Sequence, residues 1–191
     1  MLTGCSVVMP ALFGIRKIEE FKLVDYKSFL AKIPSNIEYV SIISSADQFK
    51  NVITKGADSI QKKDLSQPIQ ILYFKDNQLK SFHANCYAQG VFGRLNWNTF
   101  NRFEVFLPKS AIQYDASNIL LENYKSVFPE IKLQDYKDYT IIIFWTNLLR
   151  RISLDAIETV IENLQQFDKL EESRIYLINT DKFFTELASG N

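Results

Sequence analysis

The chain has 191 residues, enough for one ordinary domain, and its 47% apolar content predicts a packed core rather than disorder. Acidic and basic residues balance at 22 each, which argues against nucleic acid as a partner, because that surface selects a basic face. The two cysteines, Cys5 and Cys86, form no zinc-type cluster, and no run of 18 apolar residues is present to span a bilayer.

The chain opens with Met1-Leu2-Thr3-Gly4-Cys5. Small residues directly before a cysteine suit a peptidase pocket, and Leu2–Cys5 resembles the lipobox of bacterial lipoproteins. In that family the signal peptidase cuts before the cysteine, whose sulfur then carries a diacylglycerol. The resemblance implies that Cys5 attaches the chain to membrane lipid. It also implies a precursor with a basic, apolar leader upstream of Met1–Gly4. Stable anchoring takes more than one acyl chain. With Cys5 lipidated, Cys86 is the only thiol left and no disulfide within the chain can form. The alternative is a chance four-residue match with an incidental N-terminal cysteine.

Residues 6–20 contain Pro10 and Gly14 without clear periodicity, so residues 1–20 read as lipobox remnant and tether. Residues 21–191 read as a single α/β domain. Tyr26, Phe29, Leu30 and Ile33 have helical spacing, and Pro34 stops the helix. Residues 37–43 read as a strand. Ser45 and Gln48 fit a capping box, and Phe49, Val52, Ile53, Ala57 and Ile60 follow on one helical face. Residues 68–74 form the next strand. Lys75-Asp76-Asn77 turns the chain, and residues 78–87 return as a hairpin partner. Residues 88–113 are less regular. A helix is expected over residues 116–128, with Leu120, Leu121, Tyr124, Val127 and Phe128 inward. Tyr139–Trp145 is continuously apolar and so reads as a central strand covered on both faces. Ser153 is expected to cap the next helix, with Asp155 near its positive end. Ile157, Val160, Ile161, Leu164 and Phe167 form that helix's buried stripe. Residues 173–180 complete a strand–helix–strand unit, expected to be parallel and right-handed.

This order of elements predicts a three-layer α/β sandwich. Residues 139–166 resemble the central strand and active-site helix of thioredoxin-like proteins. Residues 68–78, led by Pro68, resemble that family's proline-led strand and hairpin turn, where the proline is cis and faces the active-site thiols. Here the hairpin precedes the Phe144-Trp145 strand instead of following it, so a rearranged thioredoxin-like mixed sheet is implied. The family's cysteine pair falls at Leu149 and Ile152. Thiol exchange needs an attacking thiolate and a leaving sulfur, and residues 146–152 supply neither. The chain as a whole also resembles uncharacterised bacterial envelope lipoproteins, which implies a location and no reaction.

Three residue groups outside that address deserve weighing. His83 and Cys86 could form a thiol with an activating base. Residues three apart on a strand face opposite ways, however, and a packed cysteine beside a hydrogen-bonded histidine is the plainer reading. Arg150 and Arg151 precede a helix start, where positive charge invites a bound anion or acidic partner; solvated arginines are the alternative. Tyr87, Phe92, Trp97, Phe100, Phe103 and Phe106 crowd one irregular stretch with Arg94 and Arg102. They read either as a satellite core or as a partner or glycan surface around Trp97. No phosphate loop, nucleophile elbow or metal helix occurs, so no cofactor is expected. The expected protein is a lipid-anchored cell-envelope component, on the periplasmic face or at the outer membrane. It carries a redox-inactive thioredoxin-like binding or accessory module with a protein partner in the envelope. The alternative is a thiol-dependent redox enzyme using Cys86 with His83.

Overall fold

The computed structural model describes residues 20–91, 94–133 and 137–189. Cys5, the lipobox, most of the tether and Phe92 lie outside the described residues. Five described strands form the main sheet, and three of them come early in the chain: β1 (Val40–Ile43), β2 (Gln70–Lys75) and β3 (Gln78–Ala84). A short antiparallel pair, β4 (Gln89–Val91) and β5 (Arg94–Asn96), forms a separate two-stranded ribbon where irregular chain was expected. β6 (Tyr139–Trp145) and β7 (Ser173–Asn179) complete the main sheet, whose order is β1-β7-β6-β2-β3. β1, β7 and β6 run parallel, whereas β2 is antiparallel to both β6 and β3.

β6 is therefore the middle strand, and the alternation of side chains along it explains its unbroken hydrophobicity. Ile141, Ile143 and Trp145 enter one core cluster; Ile142 and Phe144 enter the other. On the first face pack α1 (Leu23–Leu30), through Tyr26 and Phe29, and α5 (Arg150–Gln166), through Ile152, Ile157, Val160 and Leu164. On the second pack α2 (Ala46–Thr54), α3 (Ser59–Leu65), α4 (Leu121–Lys125) and the apolar face of α6 (Asp181–Ser189). The result is a mixed α/β architecture with helices on both faces of a five-stranded sheet.

Local signals account for several of these elements. Ser45 and Gln48 form the reciprocal capping box of α2: Gln48 N donates to Ser45 Oγ (3.1 Å) and Ser45 N donates to Gln48 Oε1 (2.9 Å). The β2–β3 turn places Asp76 (φ 50°) and Asn77 (φ 65°) in the left-handed region, as a two-residue hairpin loop demands. Asn77 then organises the next element. Its carbonyl accepts from Leu121 N (3.0 Å) and its Oδ1 accepts from Glu122 N (2.9 Å), so the turn caps α4.

Three elements depart from the expected pattern. The helix expected to continue through Ile60 breaks at Gly56, where an added Cβ would meet Lys62 N at 2.7 Å. Asp58 caps a new helix, α3, and Ala57 and Ile60 are left exposed. The helix expected over residues 116–128 is reduced to α4, because Leu120 forms a bridge to Gln78 on the sheet edge first. Ser153 does not cap α5, which begins three residues earlier. Its hydroxyl donates to Thr146 O (3.0 Å) and accepts from Thr146 N (3.2 Å), pinning the helix to the end of β6.

Candidate functional site

In sheets with parallel strands, chemistry-bearing residues gather beyond the strands' carboxyl ends. Here that edge is formed by the chain leaving β1, β6 and β7, and it holds buried Ser44, Thr146, Asn147, Asn179, Thr180 and Asp181. The strands first knit together there. Ser44 N donates to Asn179 O (3.0 Å), and Thr180 N donates to Trp145 O (2.9 Å). Asp181, 3% exposed, then turns its carboxylate inward. Its Oδ1 accepts from Thr146 Oγ1 (2.6 Å) and Asn147 N (2.7 Å), and its Oδ2 accepts from Asn147 Nδ2 (2.8 Å).

A buried carboxylate is costly unless charge and hydrogen bonding compensate. Asp181 is the first residue of α6, where the helix's free N–H groups favour negative charge. The 3₁₀ turn Asn147–Leu149 aims its first backbone N–H at the same carboxylate. Charge is relayed further by Asn147, whose Oδ1 accepts from Arg150 Nη1 (2.6 Å). Arg150 also donates to Asp25 O (3.2 Å) and Ser28 Oγ (3.1 Å) and lies over the Phe29 ring at 5.4 Å. Phe29 in turn stacks on Trp145, with ring centroids 3.8 Å apart. The strand–turn–helix at residues 138–153 thus joins α1, α5 and α6 to the end of the central strand.

This arrangement answers for Arg150: the acid facing it is Asp181, through Asn147. Arg151 is exposed beside it on the first turn of α5. Leu149 and Ile152, the positions at which the sequence resemblance would put a cysteine pair, are both buried in the first core cluster. Pro68 leads into β2, and the pairing of Gln70 with Phe144 sets it at the same end of the sheet as Thr146. Among the described residues the one cis peptide is Phe106–Leu107, so the bond before Pro68 is trans, and the expectation of a cis proline there is corrected.

His83 and Cys86 are not brought together. His83 pairs across the hairpin with Ile71, its ring tilts against Phe103 at 4.6 Å, and its Nε2 lies 2.9 Å from Ser81 Oγ; all of this is on the first face. Burial, aided by the Arg102 charge, lowers its pKa to about 3, so the ring is neutral at physiological pH. β3 ends at Ala84, and Cys86 sits half-buried in a 3₁₀ turn against the second core cluster. The turn carries the thiol to the opposite face from the imidazole.

Trp97 is buried on the first face with Phe103, while Phe106 packs at its margin. Much of the aromatic stretch is therefore core. Phe100, 72% exposed, is the exception.

The carboxylate at the centre of the strand-end network, Asp181, was not singled out by sequence reasoning. The available signal was positional: Thr146-Asn147 and Asn179-Thr180-Asp181 each follow directly on an apolar strand of the β-α-β unit. Their convergence depends on the pairing of β6 with β7. A second buried carboxylate lies elsewhere. Asp64 Oδ2 accepts from Tyr87 OH (2.7 Å) and Tyr114 OH (2.8 Å), and burial, then Asp64, pushes the Tyr114 phenol well above its ordinary range. No protein-family model, curated protein or solved structure matches the chain.

Proposed function

We propose that this chain is a lipid-anchored cell-envelope protein whose redox-inactive, thioredoxin-like domain serves as a binding or accessory module. One observation carries the redox-inactive part. The site where such a fold places its reacting thiols is filled by the Thr146–Asn147–Asp181 network, with Leu149 and Ile152 in the core. The thioredoxin-like reading is supported by adjacency: the two stretches that resemble the family, β6 with α5 and β2 with β3, lie side by side on the sheet. The anchor rests on the sequence Leu2-Thr3-Gly4-Cys5.

The competing reading, a thiol enzyme built on Cys86, requires a base near the sulfur. His83 is on the other face of the sheet and is too weak a base to be charged above about pH 3. Two measurements test the proposal. Cys86 is expected to alkylate slowly in the native state and faster on unfolding, with no turnover in an insulin-reduction assay with dithiothreitol. Turnover that disappears in Cys86→Ser refutes the binding-module reading. The complete precursor is expected to incorporate labelled fatty acid and to lose both label and membrane association in Cys5→Ala; unlabelled precursor refutes the anchor.

A further inference from the structure

The first described helix, α1, has surfaces of two kinds. Tyr26 and Phe29 are buried in the first core cluster, where Phe29 stacks on Trp145. Around the rest of the helix lie exposed Lys22, Leu23, Val24, Asp25, Lys27 and, just past its end, Lys32. Leu23 is 50% and Val24 69% exposed, and no other large exposed hydrophobics among the described residues are adjacent in sequence. Lys22 is matched by Glu20 at 3.6 Å, whereas Lys27 and Lys32 have no acidic partner among the described residues. The helix is held in place by Arg150, which donates to Asp25 O and Ser28 Oγ, so the exposed pair belongs to a fixed surface.

An exposed apolar pair among lysines is the composition of a helix that lies in a bilayer interface. The apolar side chains reach the acyl boundary there, and lysine stems run along it while their ammonium groups stay at the headgroups. The position of α1 in the chain supplies the second reason. Glu20 follows Cys5 by fifteen residues, which reach at most about 50 Å when fully extended. A lipid on Cys5 therefore keeps the amino end of α1 within that distance of the membrane. A tether this short gives a local concentration of about millimolar order, so even a weak surface contact is occupied.

We propose that the exposed surface of α1 docks the domain on an anionic bilayer. Leu23 and Val24 enter the boundary between headgroups and acyl chains, and Lys27 and Lys32 meet the lipid phosphates. Charge complementarity selects the occupant: the two unpaired lysines outnumber Asp25, the one acid of this surface without a lysine beside it. The inference names the face that the anchored domain turns to its membrane, and it rests on the anchor reading for the placement of α1.

The test is cosedimentation of the reduced, unlipidated full chain with phosphatidylglycerol vesicles at low salt, with lipid titrated into the millimolar range. Saturable binding is expected, and phosphatidylcholine vesicles should bind far less. Each cation at an anionic surface contributes about fivefold, so Lys27→Gln/Lys32→Gln should weaken binding at least tenfold. Leu23→Ser/Val24→Ser should weaken it by a similar factor. Lys62→Gln/Lys63→Gln removes the same charge from α3 on the other side of the sheet and should bind like the parent. All six residues are exposed, so each variant is expected to melt like the parent. Val24→Trp should move its emission to the blue on binding and be quenched by brominated phosphatidylglycerol. Absence of binding, binding unchanged in both α1 variants, or a bound Val24→Trp that the brominated lipid does not quench overturns the proposal. Fatty-acid labelling of the complete precursor keeps the two conclusions apart. A labelled precursor whose unlipidated chain ignores the vesicles refutes the docking face alone, whereas an unlabelled precursor with α1-dependent vesicle binding refutes the anchor alone.

Discussion

Asp181→Asn changes one oxygen for an amide nitrogen at nearly constant volume, so its effect isolates the hydrogen-bond network from packing. The native carboxylate accepts three hydrogen bonds at 2.6, 2.7 and 2.8 Å, all from buried donors. An asparagine keeps one acceptor oxygen. That oxygen can remain on Thr146 Oγ1 and Asn147 N, but the new NH₂ then faces Asn147 Nδ2, donor against donor. Losing a bond to a charged acceptor costs about 1.5–3 kcal/mol, and a stranded buried donor about 1–3 kcal/mol. A net loss of about 3 kcal/mol is expected. For a domain of this size each kcal/mol lowers Tm by roughly 2–4 °C, so the melt should fall by about 6–12 °C. Trp145 lies next to Thr146 and stacks on Phe29, so near-ultraviolet circular dichroism and tryptophan fluorescence report the transition. Denaturant titrations with unchanged m-value would confirm that stability, and not the two-state character, has moved. A variant within about 0.5 kcal/mol of the parent would refute the reasoning: the carboxylate would then be dispensable, and the strand-end cluster would not be what joins α6 and α5 to β6.

His83 gives a pH prediction with a definite sign. Its folded pKa, about 3, lies below the ordinary value of 6.5, so below pH 6.5 the unfolded chain binds a proton that the native state refuses. Its neutral-pH stability is therefore intact above 6.5 and is lost as pH falls toward 3, at about 1.4 kcal/mol per unit, or about 2 kcal/mol by pH 5. His83→Gln should flatten that part of the stability profile in urea titrations; an equal slope in both proteins would refute the assignment. Arg150→Ala removes the side chain that ties α1 to Asn147, with an expected cost of about 1–2 kcal/mol. Amide exchange should accelerate over Leu23–Leu30 while β6 stays protected; uniform acceleration across the sheet would show that α1 is not docked through this residue.

Local chemistry was sufficient to read the capping box at Ser45 and Gln48, the Asp76-Asn77 turn, the hairpin it closes and the apolar central strand. Each of these is encoded within a few neighbouring residues, so periodicity and turn chemistry carry them. The same holds for the parallel β6–α5–β7 unit, whose elements are consecutive in the chain. Other outcomes required the packed molecule. Ser153 looked like a helix cap because its neighbours in sequence suit one, yet Thr146, seven residues away, claims its hydroxyl. Gly56 ended a helix because α3 passes too close for a side chain, which no local pattern records. His83 and Cys86 are neighbours in sequence, and only the turn after β3 decided that the sheet lies between them. Asp181 shows the limit most clearly. Its partners are 34 and 35 residues away, and a hydrogen bond acts over about 3 Å. The sequence can place a carboxylate at a strand end, but only the pairing of β6 with β7 can bring the donors to it.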